Sequence, residues 1–203
     1  MAPKTKFTKE QIIDAAFDIA SSEGFAGITI RSVAAKLGSS IAPIYVNFKD
    51  TEELLEAVIE KTLMISKQIL QEQQSGDPFK DIGMASLLFA KKYSVLFLEL
   101  INSKHPLLKQ QHSSGGFLIE HMRSDPIFSR LSDEQLELIL LKMKLFHTGI
   151  SVMAASNQLP DAFEDEAQLA ALLNSTAIDL IVAAHVQNEK TIEQLIQQYG
   201  GPL

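Results

Sequence analysis

The stretch from Thr29 to Phe48, TIRSVAAKLGSSIAPIYVNF, constrains the fold more than any other part of the chain, because it sets two helical patterns on either side of Gly38. Thr29 is a good N-cap, and Ile30, Val33, Ala34 and Leu37 recur at the three-and-four spacing that gives a helix one apolar face. That face needs a partner to cover it. Gly38 can adopt the left-handed geometry that stops the first helix, and Ser40 is expected to cap a second over Ile41 to Asn47. Pro43 then falls in the first turn, where its missing N–H has no intrahelical partner, so it stiffens the helix start. Ile44 and Phe48 are four apart and face the core together. Ile41, Ala42, Pro43, Tyr45, Val46 and Asn47 are left to be divided between surface and packing edge. Two helices joined this tightly cross steeply, which is the helix-turn-helix arrangement.

The run from Phe7 to Leu54 resembles the DNA-binding domain of TetR-type transcriptional regulators. A leading helix carries Ile12, Ala15, Ala16, Phe17 and Ile19. Gly24-Phe25, Thr29, Val33-Ala34, Leu37-Gly38, Ile44-Tyr45 and Phe48 follow in order, and Leu54 opens the next helix. The resemblance implies an all-α fold: a three-helix helix-turn-helix DNA-binding domain at residues 1–50, joined to a larger helical effector-binding and dimerisation domain at 51–203. It implies phosphate contacts from Thr29, Ser39, Ser40, Tyr45, Lys49 and Thr51, and groove contacts from Arg31, Ile41, Ala42, Pro43 and Asn47. Arg31 stands two residues after the capping threonine; either a guanine edge or a phosphate suits its guanidinium. The chain departs from the family pattern in two places. Thr51 stands where a phosphate-gripping lysine or arginine is common, with Lys49 the nearest cation. The expected reading helix begins with an apolar turn, Ile41-Ala42-Pro43, that offers few hydrogen bonds to base edges.

The formal net charge of −7 argues against DNA only if it is spread evenly, and it is not. Residues 1–49 hold six basic groups (Lys4, Lys6, Lys9, Arg31, Lys36, Lys49) and four acids (Glu10, Asp14, Asp18, Glu23), giving +2, so the remainder carries −9. The Lys4-Lys6-Lys9 arm is expected to contact phosphate or the minor groove. Cysteine is absent, which excludes disulfides and thiolate metal sites. The N-terminus lacks the apolar run of a signal peptide. No uninterrupted apolar stretch approaches a membrane span, since Ser86 to Ile101 contains Lys91, Lys92 and Glu99. A cytoplasmic protein without a membrane role is expected.

After the motif the pattern stays helical. Thr8 with Gln11, Asp50 with Glu53, and Ser132 with Gln135 are capping-box starts. The Asp50 helix should run to about Gln74, where Ser75-Gly76-Asp77-Pro78 ends it and opens another through about Ser103. Lys104-His105-Pro106 breaks the chain again, and a short helix is expected over Phe117 to Arg123. Two strongly periodic helices follow, about Asp133 to Asn157 and Asp165 to Asn188, with a short one near Tyr199. Their apolar stripes are broader than one packing face needs. A monomer's core could absorb that width; so could a core plus a subunit contact. The resemblance implies a homodimer through these two helices, with Leu136, Leu140, Leu169, Leu173, Ala177, Leu180 and Ile181 at the interface.

No sequence pattern points to catalysis. His105, His112, His121, His147 and His185 include no pair three or four apart on a helix, so a metal centre is not expected. Phosphate-cradle, dinucleotide and nucleophile-elbow motifs are absent too, so neither an enzyme nor a cofactor is expected. Tyr93, Phe97, Phe117, Met143, Phe146 and His147 lie on helices that, by the resemblance, surround an effector cavity suited to a small, mostly apolar ligand; the same residues would serve as core. The expected function is a ligand-responsive repressor on a pseudo-palindromic operator. A helical protein-binding adaptor or small-molecule carrier without DNA affinity is the alternative.

Overall fold

A computed structural model describes residues 7–102, 105–109, 119–120, 122–123, 126–163 and 165–186. The described residues are all-α, with no strand among them. Three short-range devices start the chain. The helix α1 (Lys9–Glu23) opens on a full capping box, in which the Gln11 N–H donates to Thr8 Oγ1 at 3.2 Å and the Thr8 N–H donates to Gln11 Oε1 at 2.9 Å. A 3₁₀ turn, Phe25–Gly27, leads to α2 (Ile30–Lys36), which Thr29 caps through the Ser32 N–H. At Gly38 the backbone takes φ +60°, the Ser39 N–H bonds to the Ala34 carbonyl and the Gly38 N–H to that of Ala35. This pairing spends two otherwise orphaned carbonyls and turns the chain out of the helix.

The second short helix, α3 (Ala42–Asn47), begins one residue later than the sequence implies. Ile41 occupies its N-cap position, no side chain caps it, and Pro43 lies in the first turn. Ser40 therefore does not act as the cap; the proline's fixed φ and missing N–H reduce the need for one. The helix α4 (Thr51–Glu72) starts at Asp50, whose Oδ1 accepts from the Glu53 N–H at 2.9 Å. The expected box closes one residue early, because Glu53 Oε2 accepts from the N–H of Lys49 rather than that of Asp50.

The single helix expected from Pro78 to about Ser103 is two: α5 (Pro78–Lys92) and α6 (Ser94–Asn102), with a bend at Tyr93. The i→i−4 ladder persists on both sides of the bend, since Tyr93 N–H bonds to Phe89 O and Phe97 N–H to Tyr93 O, both at 2.8 Å. No glycine or proline stands at the bend, and the periodicity carries no sign of it. After a short α7 (Pro106–Lys109), α8 (Asp133–Ala155) opens on the Ser132–Gln135 box and α9 (Glu166–Val186) follows. Asn157 closes α8 in the left-handed region at φ +51°, with Gln158 N–H bonded back to Met153 O. Phe117, His112, His121, Lys4, Lys6 and the expected terminal helix near Tyr199 lie outside the described residues.

Packing does not divide at residue 50. The buried faces of α1 (Ile12, Ala16, Ala20), α2 (Val33, Ala34) and α3 (Ile44, with Phe48) share one cluster with Leu54 and Val58 of α4 and with Phe89, Ala90, Leu96 and Phe97 from α5 and α6. A second cluster joins Leu87 of α5 to Ile150 and Ala154 of α8 and Leu169 and Leu173 of α9; a third gathers Leu136, Ile139 and Ala184 with Met122 and Leu131. By length and composition alone, α8 and α9 are apolar enough to cross a membrane, although charged residues interrupt both. These helices are apolar on several sides because one face packs inward while Leu138, Leu141 and Leu145 on α8 and Ile178 and Val182 on α9 point outward.

Candidate nucleic-acid interface

The surface made by α2, the Gly38 turn and α3 is shaped by an inside-outside contrast. Ile44 and Phe48 are fully buried and hold α3 against the core, while on its other side Ile41 (46 % exposed), Tyr45 (55 %) and Val46 (72 %) face solvent. Nothing in a helix of six residues favours exposing three large apolar groups, since each forgoes roughly 1.5–3 kcal/mol of burial. Val46 is the most exposed of the three, and its position two residues from Ile44 and two from Phe48 is the signal that it points away from both.

The polar candidates separate by how occupied they are. Arg31 on α2 is exposed, and no ion pair to a described residue holds it. Ser40 and Ala42 are exposed, whereas Ser39, Pro43 and Thr51 are half-buried. Ser39 Oγ donates to the Ser40 carbonyl at 2.9 Å, Thr29 is spent on the α2 cap, and Lys49 is exposed beside Asp50, with Nζ 3.8 Å from Oδ2. Asn47 is committed to its own helix: its Nδ2 donates to the Pro43 carbonyl, one turn back, at 2.8 Å. The Asn47 amide is thereby tied to its own helix rather than projected for a groove. Lys9 is drawn inward, with Nζ 3.6 Å from Glu53 Oε1 and 4.9 Å from the centre of the Phe48 ring, and Lys36 pairs with Asp18 at 3.4 Å. The basic arm as drawn from sequence thus reaches the core's edge at Lys9.

Of the described effector candidates, Tyr93 and Phe97 fall in a different packing cluster from Phe146. Tyr93 and Phe97 belong to the N-terminal cluster, where the Tyr93 ring packs edge to face on Phe17; they stand between α1 and the larger helical region rather than inside it. Met143 is buried on α8, and Phe146 packs on the second cluster. His147 lies against α5, close enough to Gly83 that an added Cβ there would sit 2.7 Å from its Cε1. Burial strips that ring of water and lowers its pKa from 6.5 to about 4, so it is neutral near pH 7. One helical turn on, Ser151 is buried and shares a 3.3 Å hydrogen bond with Ser86 of α5. Sequence reasoning missed this polar seam, since nothing in either helix's periodicity aligns Gly83 with His147 or Ser86 with Ser151.

The expected dimer residues also divide. Leu136, Leu169 and Leu173 are core, whereas Leu140, Ala177, Leu180 and Ile181 are half-buried. The exposed stripe runs instead through Leu138, Leu141, Leu145 and Met153 on α8, and through Ile178 and Val182 on α9. The sequence contained both stripes, but a helix apolar on all sides gives no phase from which to choose between them.

Residues 12–58 match the family described as bacterial regulatory proteins, tetR family. This N-terminal domain belongs to the TetR family. The match takes in α1 through the first turns of α4, the segment that shares one core in the structure. Over 75 residues the chain is 35% identical to the uncharacterized HTH-type transcriptional regulator YvkB of Bacillus subtilis (strain 168), covering 37% of this chain and 39% of the relative. Over 116 residues it is 34% identical to the HTH-type transcriptional repressor DrrR1 of Streptomyces coeruleorubidus, covering 57% of this chain and 39% of that one. The chain thus spans well under half the length of the curated relatives it matches. The fold beyond the TetR-family domain is shared more widely. A TetR-like transcriptional regulator from Rhodococcus sp. RHA1 superposes with a TM-score of 0.63 at 17% identity, over 83% of this chain and 92% of the other. A TetR variant from Acinetobacter baumannii AYE in complex with minocycline gives 0.54 at 16% identity, over 91% and 100% of the two chains.

Proposed function

We propose that the protein is a ligand-responsive transcriptional repressor that binds a pseudo-palindromic DNA operator as a homodimer and is released by a small, mostly apolar effector. The solvent face of α3 carries the reading. Ile41, Tyr45 and Val46 remain exposed while Ile44 and Phe48 anchor the helix, which suits insertion into a groove where thymine methyl groups give apolar contact. In this reading Arg31 supplies the hydrogen-bonding contact to a base edge or phosphate. Thr29, Ser39, Ser40, Tyr45, Lys49 and Thr51 lie along the phosphates, and Ile41, Ala42, Pro43 and Val46 face the groove. Residues 1–50 would bind DNA and 51–203 would sense the effector and dimerise, with the first turns of α4 shared between them.

Dimerisation is supported by the outward stripes of α8 and α9. Six large apolar groups from two neighbouring helices, exposed on one chain, would be covered by the same helices of a second copy in a four-helix arrangement. Two copies would then present two α3 helices about one DNA turn apart, roughly 34 to 36 Å or somewhat more. For the effector, the complex with minocycline named for one structural relative is consistent with a small organic ligand. Met143, Phe146 and His147 on α8 remain the candidate contacts, with His147 neutral near pH 7. Tyr93 and Phe97 fit a different part of the mechanism. They pack α5 and α6 onto α1, so a displacement of those helices would be felt by the DNA-binding domain. Release requires only that the effector prefer the displaced form.

Gel-shift titration against genomic fragments, repeated at several salt concentrations, tests the reading. Binding should weaken steeply with salt, as expected when lysines and arginines displace counterions. Arg31→Ala should cost about 1 to 3 kcal/mol with relaxed preference at one position if it reads a base. An equal loss on every sequence would mark it as a phosphate contact, and the absence of any DNA binding would leave an adaptor or carrier.

A further inference from the structure

The spacing of histidines in the sequence excludes a metal site built on one helix, but the fold assembles a candidate from two distant segments. Glu52 and Glu56 stand one turn apart on one face of α4, just past the link from α3. His105 comes from the residue before α7, and one ligand atom from each of the three lies within 4.8 Å of the other two. The His105 ring is held in place: its side chain is only 12% exposed, and its Nε2 is 3.1 Å from Glu52 Oε1.

We propose that Glu52, Glu56 and His105 form a binding site for a divalent first-row transition-metal ion of the zinc, cobalt or nickel class, joining the start of α4 to α7. One imidazole and two carboxylates are three ligands of the kind such ions accept in open, water-completed sites, and the imidazole selects against magnesium and calcium. Closing around the ion asks the three ligand atoms to converge by about an ångström, given metal–ligand distances of about 2.0–2.2 Å. The movement would fall on the exposed carboxylates more than on His105, whose side chain is largely covered. The His105 Nε2 faces Glu52 Oε1, and Nδ1 lies 3.4 Å from the Leu107 N. A metal on Nε2 would leave the ring's proton on Nδ1. The ion would also neutralise two like charges one turn apart, a pairing that opposes itself on a bare helix.

Metal binding can be tested without reference to DNA. The tag-free full-length protein is titrated with zinc chloride by calorimetry, and cobalt binding is followed by its visible absorption; Glu56→Gln, His105→Gln and the control His185→Gln are run in parallel. The expected result is one ion per chain, with a zinc-dependent rise in melting temperature, affinity reduced at least roughly tenfold in Glu56→Gln and in His105→Gln, and no change in His185→Gln. Glu56 is exposed on a helix face, so its variant carries the test even if His105→Gln destabilises the fold. Lack of saturable zinc binding, or binding undiminished in both variants, overturns the proposal.

Discussion

The Tyr93 ring meets the Phe17 ring edge to face, with centroids 5.7 Å apart and planes inclined by 70°, at the bend between α5 and α6. Phe89 also packs on Tyr93 at 5.4 Å, and Lys61 of α4 lies over Phe17 at 5.1 Å, so α1, α4, α5 and the α5–α6 bend meet at one aromatic stack. Farther along, the Glu99 carboxylate of α6 closes on Gly24 at the end of α1, where a Cβ would collide with it. The helix-turn-helix therefore has no separate core. Any motion of α6 must carry α1 with it or break this stack.

The stack's contribution is measurable. A double-mutant cycle with Phe17→Leu and Tyr93→Leu, followed by urea unfolding, should give a coupling of about 0.5–1.5 kcal/mol beyond the loss of buried area. Both single variants should still unfold in one transition, as expected of a shared core. Zero coupling would mean that the rings are neighbours without energetic linkage and that α1 is not held through Tyr93.

The two apolar stripes of α8 and α9 make opposite predictions. Leu145→Glu and Ile178→Glu alter side chains that are 65% and 59% exposed, so the isolated chain should keep its helicity. Sedimentation should show a dimer for the unaltered protein and a monomer for the two variants. Leu136→Ala instead empties a buried site and should cost about 2–5 kcal/mol of unfolding free energy. A dimer that survives both glutamates would remove this face from consideration.

The contrast shows what the sequence could and could not convey. Local signals were sufficient where one residue decides the geometry: Thr8, Thr29 and Ser132 cap as their spacing requires, and Gly38 takes the positive φ that a stop demands. They failed where tertiary contact decides. The bend at Tyr93 coincides with aromatic packing on Phe17, and the Asn47 side chain is taken up by the Pro43 carbonyl of its own helix. On α8 and α9 the difficulty was of another kind, since Leu136 and Leu138 are equally apolar and only the third dimension separates the buried one from the exposed one. Ser40 misled because serine is a good cap in general, whereas here Pro43 had already set the turn.

His147 makes stability depend on pH in a defined window. Its folded pKa, about 4, lies below the unfolded value of 6.5, so between these limits the unfolded chain binds more protons. Its contribution is fully present above about pH 6.5 and is lost as the pH falls towards 4, by about 2 to 3 kcal/mol in all. Unfolding titrations of the native protein and of His147→Gln across this range should show a shallower decline in the variant. Parallel curves would mean that the ring is better hydrated than its packing against Gly83 implies. Gly83→Ala adds a methyl against the same ring and should destabilise by about 1–3 kcal/mol through overpacking.

The apolar face of α3 leads to a prediction about DNA rather than protein. Ile41, Ala42, Pro43 and Val46 have no side-chain donor, so sequence preference beneath them must come from thymine methyl groups and from the shape of the groove. Once an operator is selected, replacing its thymines with uracil one position at a time removes only the methyl. Binding should weaken at two or three adjacent steps in each half-site and stay unchanged elsewhere. Val46→Ala, which trims a side chain 72% exposed and should leave stability within about 0.5 kcal/mol, should abolish the uracil effect at one of those steps. If uracil is tolerated at every position while Arg31→Ala alone relaxes preference, α3 contributes fit against the backbone and the reading falls to α2.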